Sequence, residues 1–233
     1  MLLKEKKVLR VLVACEYSGI VRDAFSKAGH IAWSVDLLPS ESNYCQRHFQ
    51  GDIFEFLSMP GFEPETWDLL IAHPPCTHLS VSGARWFTEG VKPLYLRFEA
   101  LAFVDRLMNL PIPKICIENP VSVISSHIRK ADQMINPYNF GHKEQKRTCL
   151  WLKNLPKLIH TNDVYDEMMK LPKKQRERIH WLGSGKGKER SMFYPGIAEA
   201  MAQQWSNLPD TGQPLIRGGL YAKTSEQQEL MEE

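Results

Sequence analysis

Residues 67–76 read WDLLIAHPPC, and this stretch decides the class of fold. Positions 67–72 form an apolar run that is typical of a strand buried on both faces of a parallel sheet. Two prolines follow at 74 and 75, and they end the strand because proline has no backbone N–H to donate to a neighbouring strand. We therefore expect a buried strand that leads into a rigid loop carrying His73 and Cys76.

Similar apolar runs recur on both sides of this strand and alternate with helical patterns. Val21, Ala24, Phe25 and Ala28 recur at helical spacing, and Gly29 is placed to stop that helix. The predicted strands are 8–15, 30–35, 67–72, 114–117 and 148–152, and the predicted helices are 20–28, a short one opened by Gly51-Asp52, 94–110 and 195–205. This alternation predicts an α/β fold with a doubly wound, mostly parallel, Rossmann-like sheet.

The length of 233 residues fits one substantial domain with a small appendage. We assign residues 1–160 and 191–208 to the main domain. Residues 161–190 are polar and rich in lysine, which predicts a small basic insert or loop, and residues 209–233 predict a flexible tail. The cations of 170–190, mixed with His180 and Trp181, could contact phosphates, or they could form a solvated charged helix.

Charge and hydropathy narrow the choice of partners. A formal net charge of +2 neither demands nor excludes nucleic acid, because a local basic face can exist within a near-neutral total. No apolar run approaches the ~20 residues of a membrane span, so no membrane partner is expected. The beginning, MLLKEKKVLRVLVACE, fits a first strand better than a signal peptide, and we expect a cytoplasmic protein.

The five cysteines include one that is placed for chemistry. Their odd number and the lack of a CxxC pair argue against a disulfide framework and against a zinc site, so no metal is expected. Cys15, Cys116 and Cys149 sit within apolar runs and are interpreted as core residues. Cys76 follows two prolines at the end of a strand, where a thiolate would be a good nucleophile, although a buried loop cysteine is the alternative.

Residues that follow strands are the candidates for ligand binding, because open α/β sheets bind ligands outside the carboxyl ends of their strands. Asp36, after the second strand, suits a ribose diol, and Asp52 could accept from an adenine amino group. Both carboxylates could instead cap helices or turns. The first loop lacks GxGxxG and a P-loop lysine, which disfavours NAD and ATP. An adenosine-containing cofactor of another kind is therefore indicated.

Cys76 and Glu118 follow neighbouring predicted strands, whose loops converge on one crevice. A thiol and a carboxyl group that face one ring suit covalent addition to an electron-poor pyrimidine, with the acid supporting a ring nitrogen. Taken alone, Glu118 could equally be a helix-capping carboxylate.

These residues resemble the DNA cytosine-C5 methyltransferase family, in the form of a small, phage-type member. The family's Pro-Pro-Cys loop, followed by Ser and Gly, is matched by PPCTHLSVSG at 74–83, and its Glu-Asn motif is matched by Glu118-Asn119. Its first turn resembles Tyr17-Ser18-Gly19. Segments similar to its later Gln/Arg motif and closing helix occur at 145–147 and 195–205. The resemblance spans about residues 10 to 205, and the order of the motifs carries it.

The resemblance implies a class I methyltransferase that uses S-adenosylmethionine and acts on DNA, in a bacterial or phage-infected host cell. Cys76 would attack C6 of cytosine, Glu118 would support N3, and Arg147 would support the base or a phosphate. The implied cofactor-binding residues are Glu16, Tyr17, Ser18, Gly19, Asp36, Leu37, Asp52 and Pro74. The implied substrate-binding residues are Pro75, Ser80, Arg85 and Asn119.

The sequence departs from the family at three points. His73 stands where the family has glycine, and Pro120 replaces a small aliphatic residue. The large target-recognition domain has little room, since about 40 residues separate Leu155 from Pro195. Three alternatives stay open: methylation of an exocyclic amine without a covalent step, a free nucleotide as substrate, and a catalytically silent nucleic-acid-binding protein.

Overall fold

Seven strands form one mixed sheet in the computed structural model, which describes residues 7–43, 45–83, 85–182, 185–206 and 208. The strands are β1 (Arg10–Ala14), β2 (Ile31–Asp36), β3 (His48–Gln50), β4 (Leu69–Ala72), β5 (Lys114–Pro120), β6 (Gln133–Ile135) and β7 (Thr148–Lys153). Their order across the sheet is β3-β2-β1-β4-β5-β7-β6. The pairs from β3 to β5 are parallel, whereas β7 is antiparallel to both of its neighbours.

Ten helices connect and cover these strands in the described ranges. They are α1 (Ile20–Lys27), α2 (Ile53–Phe56), α3 (Arg85–Thr88), α4 (Tyr95–Met108), α5 (Ile124–His127), α6 (Tyr165–Met169), α7 (Lys173–Arg176), α8 (Arg178–Trp181), α9 (Gly187–Ser191) and α10 (Pro195–Trp205). Helix α1 ends where Gly29 takes a positive φ of 90°, which glycine adopts at low cost. Helix α10 begins with proline, whose missing N–H would have no helical partner there.

The sheet is covered on both faces by apolar helices. On one face, α1 and α10 pack against β1, β4 and β5, with Phe25, Met201 and Trp205 in the core. On the other face, α2, α4 and α5 pack with Phe56, Val104 and other apolar residues. Alternate residues of a strand point to opposite faces, so strands covered on both sides must be apolar throughout. This explains the unbroken burial of β4.

The predicted doubly wound, mostly parallel, Rossmann-like α/β sheet is confirmed. The order reverses between β1 and β4, because β1 connects outward to β2 while β4 connects to β5 on the opposite side. A crevice for ligands forms at such a reversal, outside the carboxyl ends of the strands. The residues that follow β1 and β4 therefore lie where a ligand would bind.

Two predictions about the strands are wrong. The residues 118–120 were expected to stop the strand after 117, but β5 continues to Pro120 because it pairs with the antiparallel β7 as far as Thr148. Glu118 and Asn119 thus belong to the strand itself. The three-residue strands β3 and β6 were not predicted, since so short a run carries no periodic signal.

The region 161–190 contains the short helices α6 to α9 and is not one charged helix. Met168 of α6 is fully buried, so this region packs in part against the main body. The division into a main domain and an insert stays a prediction, and of the predicted tail, residues 209–233 lie outside the described part of the chain. Among the helices that the structure describes, none is long and apolar enough to span a membrane.

Candidate active site

The loop after β1 is held by its own polar groups. Glu16 is 4% exposed, and its carboxylate accepts from the backbone N–H of Val21 at 2.6 Å and of Arg22 at 3.2 Å. Gly19 has a φ of 74°, and a Cβ there would lie 2.5 Å from Arg22 Nη2. Both oxygens of Glu16 therefore bind the first turn of α1, and the cofactor contact predicted for Glu16 stays a prediction.

The side chains of Tyr17 and Ser18 also have partners within the protein. The Tyr17 hydroxyl lies 2.9 Å from the carbonyl oxygen of Lys188 and 3.0 Å from Ser191 Oγ, so it joins the β1 loop to α9. Ser18 Oγ accepts from the backbone N–H of Ile20 at 3.3 Å. These two residues therefore shape the loop through contacts that do not involve a ligand.

Two carboxylates converge beside Cys15 at the ends of β2 and β3. Burial, followed by the charges of Asp36 and Asp52, raises the pKa of the Cys15 thiol to about 12, which places both carboxylates near this sulfur. Asp36 Oδ1 accepts from the backbone N–H of Leu38 at 2.9 Å, and the side chain of Leu37 is 72% exposed beside it. Burial raises the pKa of Asp36.

Asp52 caps α2, as the alternative interpretation of the sequence allowed. Its Oδ1 accepts from the backbone N–H groups of Phe54 at 2.8 Å and Glu55 at 3.2 Å. The bonds of this helix cap do not use Asp52 Oδ2. The carboxylate therefore stabilises the helix through one oxygen while its charge still acts on the crevice.

The loop that carries Cys76 is fixed from both ends. Pro74 is buried, and its carbonyl oxygen accepts from Asn119 Nδ2 at 2.8 Å. The carbonyl oxygen of Cys76 accepts from the backbone N–H groups of Leu79 at 3.1 Å and Ser80 at 2.9 Å, which closes a short 3-10 turn. Pro75, between these anchors, is exposed.

The continuation of this loop pairs with the segment after β5. Ser80 bridges Ser122, and the backbone N–H of Val123 donates to the carbonyl oxygen of Leu79 at 2.9 Å. Ser80 Oγ lies 2.7 Å from Ser82 Oγ. Helix α3 begins at Arg85, whose side chain lies outside the described part of the structure, so its predicted role stays a prediction.

The thiol of Cys76 and the carboxyl of Glu118 act on each other electrostatically. Burial is the main cause that raises the pKa of the Cys76 thiol, and the charge of Glu118 is the second cause. The hydrogen bond from Asn119 to Pro74 ties the loop that carries Cys76 to the strand that carries Glu118. The catalytic roles of Cys76 and Glu118 stay predictions.

His73 is hydrogen-bonded to Glu118. Its Nδ1–H donates to Glu118 Oε2 across 2.9 Å, and the side chains are 12% and 10% exposed. Burial alone would raise the pKa of Glu118, but the hydrogen bond and charge of His73, together with Lys146, bring it below its ordinary value. The contact with His73 therefore favours the carboxylate form of Glu118.

Lys146 is a cation that acts on the site. It lowers the pKa of both Cys76 and Glu118, whereas Arg147 is exposed and acts on Cys149. The contact predicted between Arg147 and the base or a phosphate stays a prediction.

Helix α9 lies across the same edge of the sheet. The Nζ of Lys146 donates to the carbonyl oxygen of Arg190 at 3.0 Å, and the charge of Arg190 lowers the pKa of Cys76. The ring of Phe193, which follows α9, lies 4.7 Å from the ring of His73. Together with the contacts of Tyr17, these interactions hold α9 over both the β1 loop and the thiol.

Four of the eight lysine and arginine side chains of the basic region 170–190 are paired with nearby carboxylates. Within the ranges that the structure describes, the pairs are Lys173–Glu177, Arg178–Glu144, Lys186–Glu189 and Lys188–Glu41. The side chain of Trp181 is 54% exposed. The region is therefore a set of paired charges with an exposed aromatic ring, which makes it a weaker cationic surface than its lysine content indicates.

The sequence missed three participants of this site. His73 was noted as a departure from a family pattern, without a partner for its ring. The effect of Lys146 depends on which face its side chain occupies, and the contact of α9 with the β1 loop joins residues far apart in the chain. Among the described residues, no cluster of His, Cys, Asp and Glu could hold a metal ion.

Comparison with known proteins finds similarity in three-dimensional structure. No protein-family model matches the sequence, and no curated protein matches it. The chain is similar to the Dnmt2 methyltransferase of S. pombe, with 16% identity, a TM-score of 0.42 and coverage of 73% of this chain. It is also similar to the Entamoeba histolytica methyltransferase EhMeth, with 16% identity, a TM-score of 0.48 and coverage of 67% of this chain. The match spans 57% and 58% of the length of these two proteins.

Proposed function

We propose that this chain is an S-adenosylmethionine-dependent methyltransferase that methylates C5 of cytosine in DNA through a covalent adduct at Cys76. The observation that carries the proposal is the attachment of the Cys76 loop to the strand of Glu118 in a doubly wound sheet. Asn119 Nδ2 bonds the carbonyl oxygen of Pro74 at 2.8 Å, and His73 bonds Glu118 at 2.9 Å. A thiol that only filled the core would not need a rigid loop and an opposing carboxylate. The order of the sequence motifs supports the same assignment.

The residues at the β1 and β2 ends fit an adenosine-containing cofactor. Gly19 makes the turn directly after β1, where Arg22 and Ser42 fill the space that a Cβ would need, so this turn stays close to the end of the strand. Asp36 is half-buried and uses one oxygen for Leu38, which leaves the other for a ribose hydroxyl, and the exposed side chain of Leu37 offers an apolar contact to an adenine ring. When bound, S-adenosylmethionine supplies the electrophilic methyl group.

Cys76 acts as the nucleophile in the proposed mechanism. Its sulfur attacks C6 of the pyrimidine, the C5–C6 electron pair moves toward C4, and N3 accepts a proton. The raised pKa of the thiol means that ionisation must be assisted, and the ammonium of Lys146 is the cation that lowers this pKa most. Lys146 therefore favours the thiolate.

Glu118 and Asn119 bind the other side of the base. Glu118 hydrogen-bonds N3 and stabilises the negative charge that develops there once it carries a proton. Asn119 Nδ2 holds the carbonyl oxygen of Pro74, so β5 positions the nucleophile loop directly. Among the residues that the structure describes, the buried Asn119 Oδ1 has no hydrogen-bond partner, and it could accept from the exocyclic amine of cytosine.

The covalent step is tested by mechanism-based trapping. The protein is incubated with S-adenosylmethionine and DNA that contains 5-fluorocytosine, because fluorine at C5 blocks the elimination that would free the enzyme. We expect a denaturation-resistant adduct whose tryptic peptide maps to Cys76. The Cys76→Ser variant should form none, whereas Cys45→Ser, which alters the turn before β3, should form it normally.

The position of the methyl group and the substrate are tested by product analysis. Double-stranded DNA, single-stranded DNA and dCTP are each offered with labelled cofactor, digested to nucleosides and separated by mass. 5-Methylcytosine in DNA is the expected product. Formation of N4-methylcytosine or N6-methyladenine, or full activity of Cys76→Ser, would overturn the covalent mechanism. Labelling of dCTP alone would show that the substrate is a free nucleotide and not DNA.

A further inference from the structure

His73 lies in the crevice, and both its backbone and its ring are hydrogen-bonded to neighbouring strands. Its backbone N–H donates to the carbonyl oxygen of Ala14 at 2.9 Å, which extends the pairing of β4 with β1 by one residue. Its Nδ1 then bonds Glu118 on the other neighbouring strand. The imidazole thus joins β1, β4 and β5 at the point where the strand order reverses.

The groups that face this ring come from every element around it. Glu16 from the β1 loop, Asp36 from the end of β2 and Glu118 from β5 all interact with its charge. Lys146, ahead of β7, is the cation that acts on the same carboxylate, and Cys76 lies in the loop that His73 begins. Phe193 covers the ring from the segment before α10.

The chemistry of the proposed function leaves a requirement that Glu118 alone does not meet. N3 of cytosine has a lone pair and needs a proton donor when the thiolate adds to C6. The hydrogen bond from His73 Nδ1 at 2.9 Å favours the carboxylate form of Glu118, and a carboxylate can accept a hydrogen bond but not donate one. The proton must therefore come from a group in contact with Glu118, and His73 is that group.

We propose that His73 and Glu118 form one proton-sharing pair, in which His73 holds the proton that Glu118 delivers to N3 of the pyrimidine. As the bond from Cys76 Sγ to C6 forms, the C5–C6 pair shifts to C5–C4 and the C4–N3 pair shifts to N3. His73 begins as an imidazolium and passes its Nδ1 proton to the Glu118 carboxylate, and Glu118 then gives a proton to N3. Glu118 is again a carboxylate at the end of this step, and the imidazole is left neutral. When the thiolate leaves and C4–N3 reforms, N3 returns this proton to the pair.

The second ring nitrogen supports this assignment. In the described part of the chain, His73 Nε2 is buried and has no hydrogen-bond partner. A histidine that served only to orient Glu118 would need one protonated nitrogen, and its other nitrogen would ordinarily be satisfied. An Nε2 that carries a proton in both states of the pair lets Nδ1 give up its own. His73 is thus a positioning residue that acts on the substrate through Glu118.

The inference rests on the proposed function and is tested by the pH dependence of turnover. His73→Asn keeps an N–H donor toward Glu118 but removes the group that takes up and releases the proton. In this variant Glu118 must itself be protonated, and we expect the alkaline limb of kcat to move down by at least about one pH unit, with a tenfold or larger loss of kcat at pH 8. The Kd for S-adenosylmethionine should stay within about twofold. His127→Asn, at an exposed position of α5, is the matched control and should superimpose on the wild type.

Two outcomes would overturn the inference. A His73→Asn profile that superimposes on the wild type, or a loss of kcat that is uniform across pH, would reduce His73 to a structural contact. If the variant does not fold, nitrogen-15 NMR of the wild type decides, since the proposal requires both ring nitrogens of His73 to carry a proton before substrate binds, and a neutral ring with a proton on Nδ1 alone would overturn it. Trapping of the wild type at Cys76 reports on the proposed function separately, so its failure is distinguishable from a failure of the pair.

Discussion

At the scale of single residues, the pKa of the Cys76 thiol is set by effects of opposite direction. Burial and then Glu118 raise the pKa of Cys76, while Lys146 and Arg190 lower it. Because the thiolate is the reactive species, the balance among these charges sets how much nucleophile is present at a given pH. The reactivity of Cys76 therefore depends on the charged groups around it.

Removing Lys146 should therefore make Cys76 less reactive. In Lys146→Gln, the pKa of the thiol should rise by up to about one unit, so that alkylation below this pKa slows by up to about tenfold. The measurement is the pH dependence of iodoacetamide labelling at Cys76, followed by peptide mass spectrometry. Arg147→Gln is the matched control, and a slowing as large as that of Lys146→Gln would contradict the assignment of Lys146.

At the scale of elements, the turn between β1 and α1 depends on the absence of a side chain. Gly19 combines a positive φ with close neighbours, since a Cβ would lie 2.5 Å from Arg22 Nη2 and 2.8 Å from Ser42 Cβ. Gly29, at the other end of α1, also has a positive φ, but nothing lies within 4 Å of its added Cβ. Comparing substitutions at the two glycines therefore separates the cost of backbone strain from the cost of a steric clash.

Alanine at these two positions should destabilise the protein unequally. Gly29→Ala should lower the free energy of unfolding by about 1 kcal/mol, which is the cost of a left-handed backbone at a residue with a Cβ. Gly19→Ala should lower it by about 1 kcal/mol more, because Arg22 must also shift. Urea unfolding measures both, and equal losses would show that the space around Gly19 yields without cost.

Helix α9 is held over the crevice by few contacts, of which the Tyr17 hydroxyl is the best defined. Tyr17→Phe should weaken the closed position of α9 by about 1 kcal/mol, and trypsin should cleave after Lys186 or Lys188 roughly fivefold faster. Tyr138→Phe is the control, since that hydroxyl accepts from Asn136 Nδ2 far along the chain. Unchanged cleavage in Tyr17→Phe would mean that other contacts hold α9.

The elements were predictable in proportion to their length and apolar content. The strands β1, β4 and β5 could be predicted because both of their faces are buried, which makes their sequences apolar throughout. The residues at their ends then indicate where the crevice lies. The extension of β5 to Pro120 depends on a partner that follows almost 30 residues later, and the sequence carries no local sign of it. The same holds for Lys146, whose role depends on the side of the chain that faces Cys76.

At the scale of the whole molecule, α10, the last helix that the structure describes, covers part of one face of the sheet. Trp205 of α10 is fully buried, and its Nε1 donates to the carbonyl oxygen of Pro156 at 3.1 Å. Helix α10 packs on α1, so the two ends of the described fold support each other. Helices α6 to α9 lie between β7 and this helix in the chain.

Trp205→Ala should therefore cost far more stability than the loss of an exposed tryptophan. We expect a decrease of about 3–5 kcal/mol in the free energy of unfolding, since the cavity lies between two helices and the sheet. Trp181→Ala, at a residue that is 54% exposed, should change it by less than about 0.5 kcal/mol. Comparable losses in urea unfolding would show that α8 packs more tightly than its exposure indicates.

The attachment of α9 has a consequence for the way two ligands share the crevice. This helix is bonded to Tyr17 on the side that fits adenosine and to Lys146 on the side of the thiol. A ligand that lifts α9 from either side breaks both attachments, so the first molecule to bind bears the whole free energy of opening and the second bears none of it. Binding of the two would be cooperative, and by linkage each would tighten the other by the same factor.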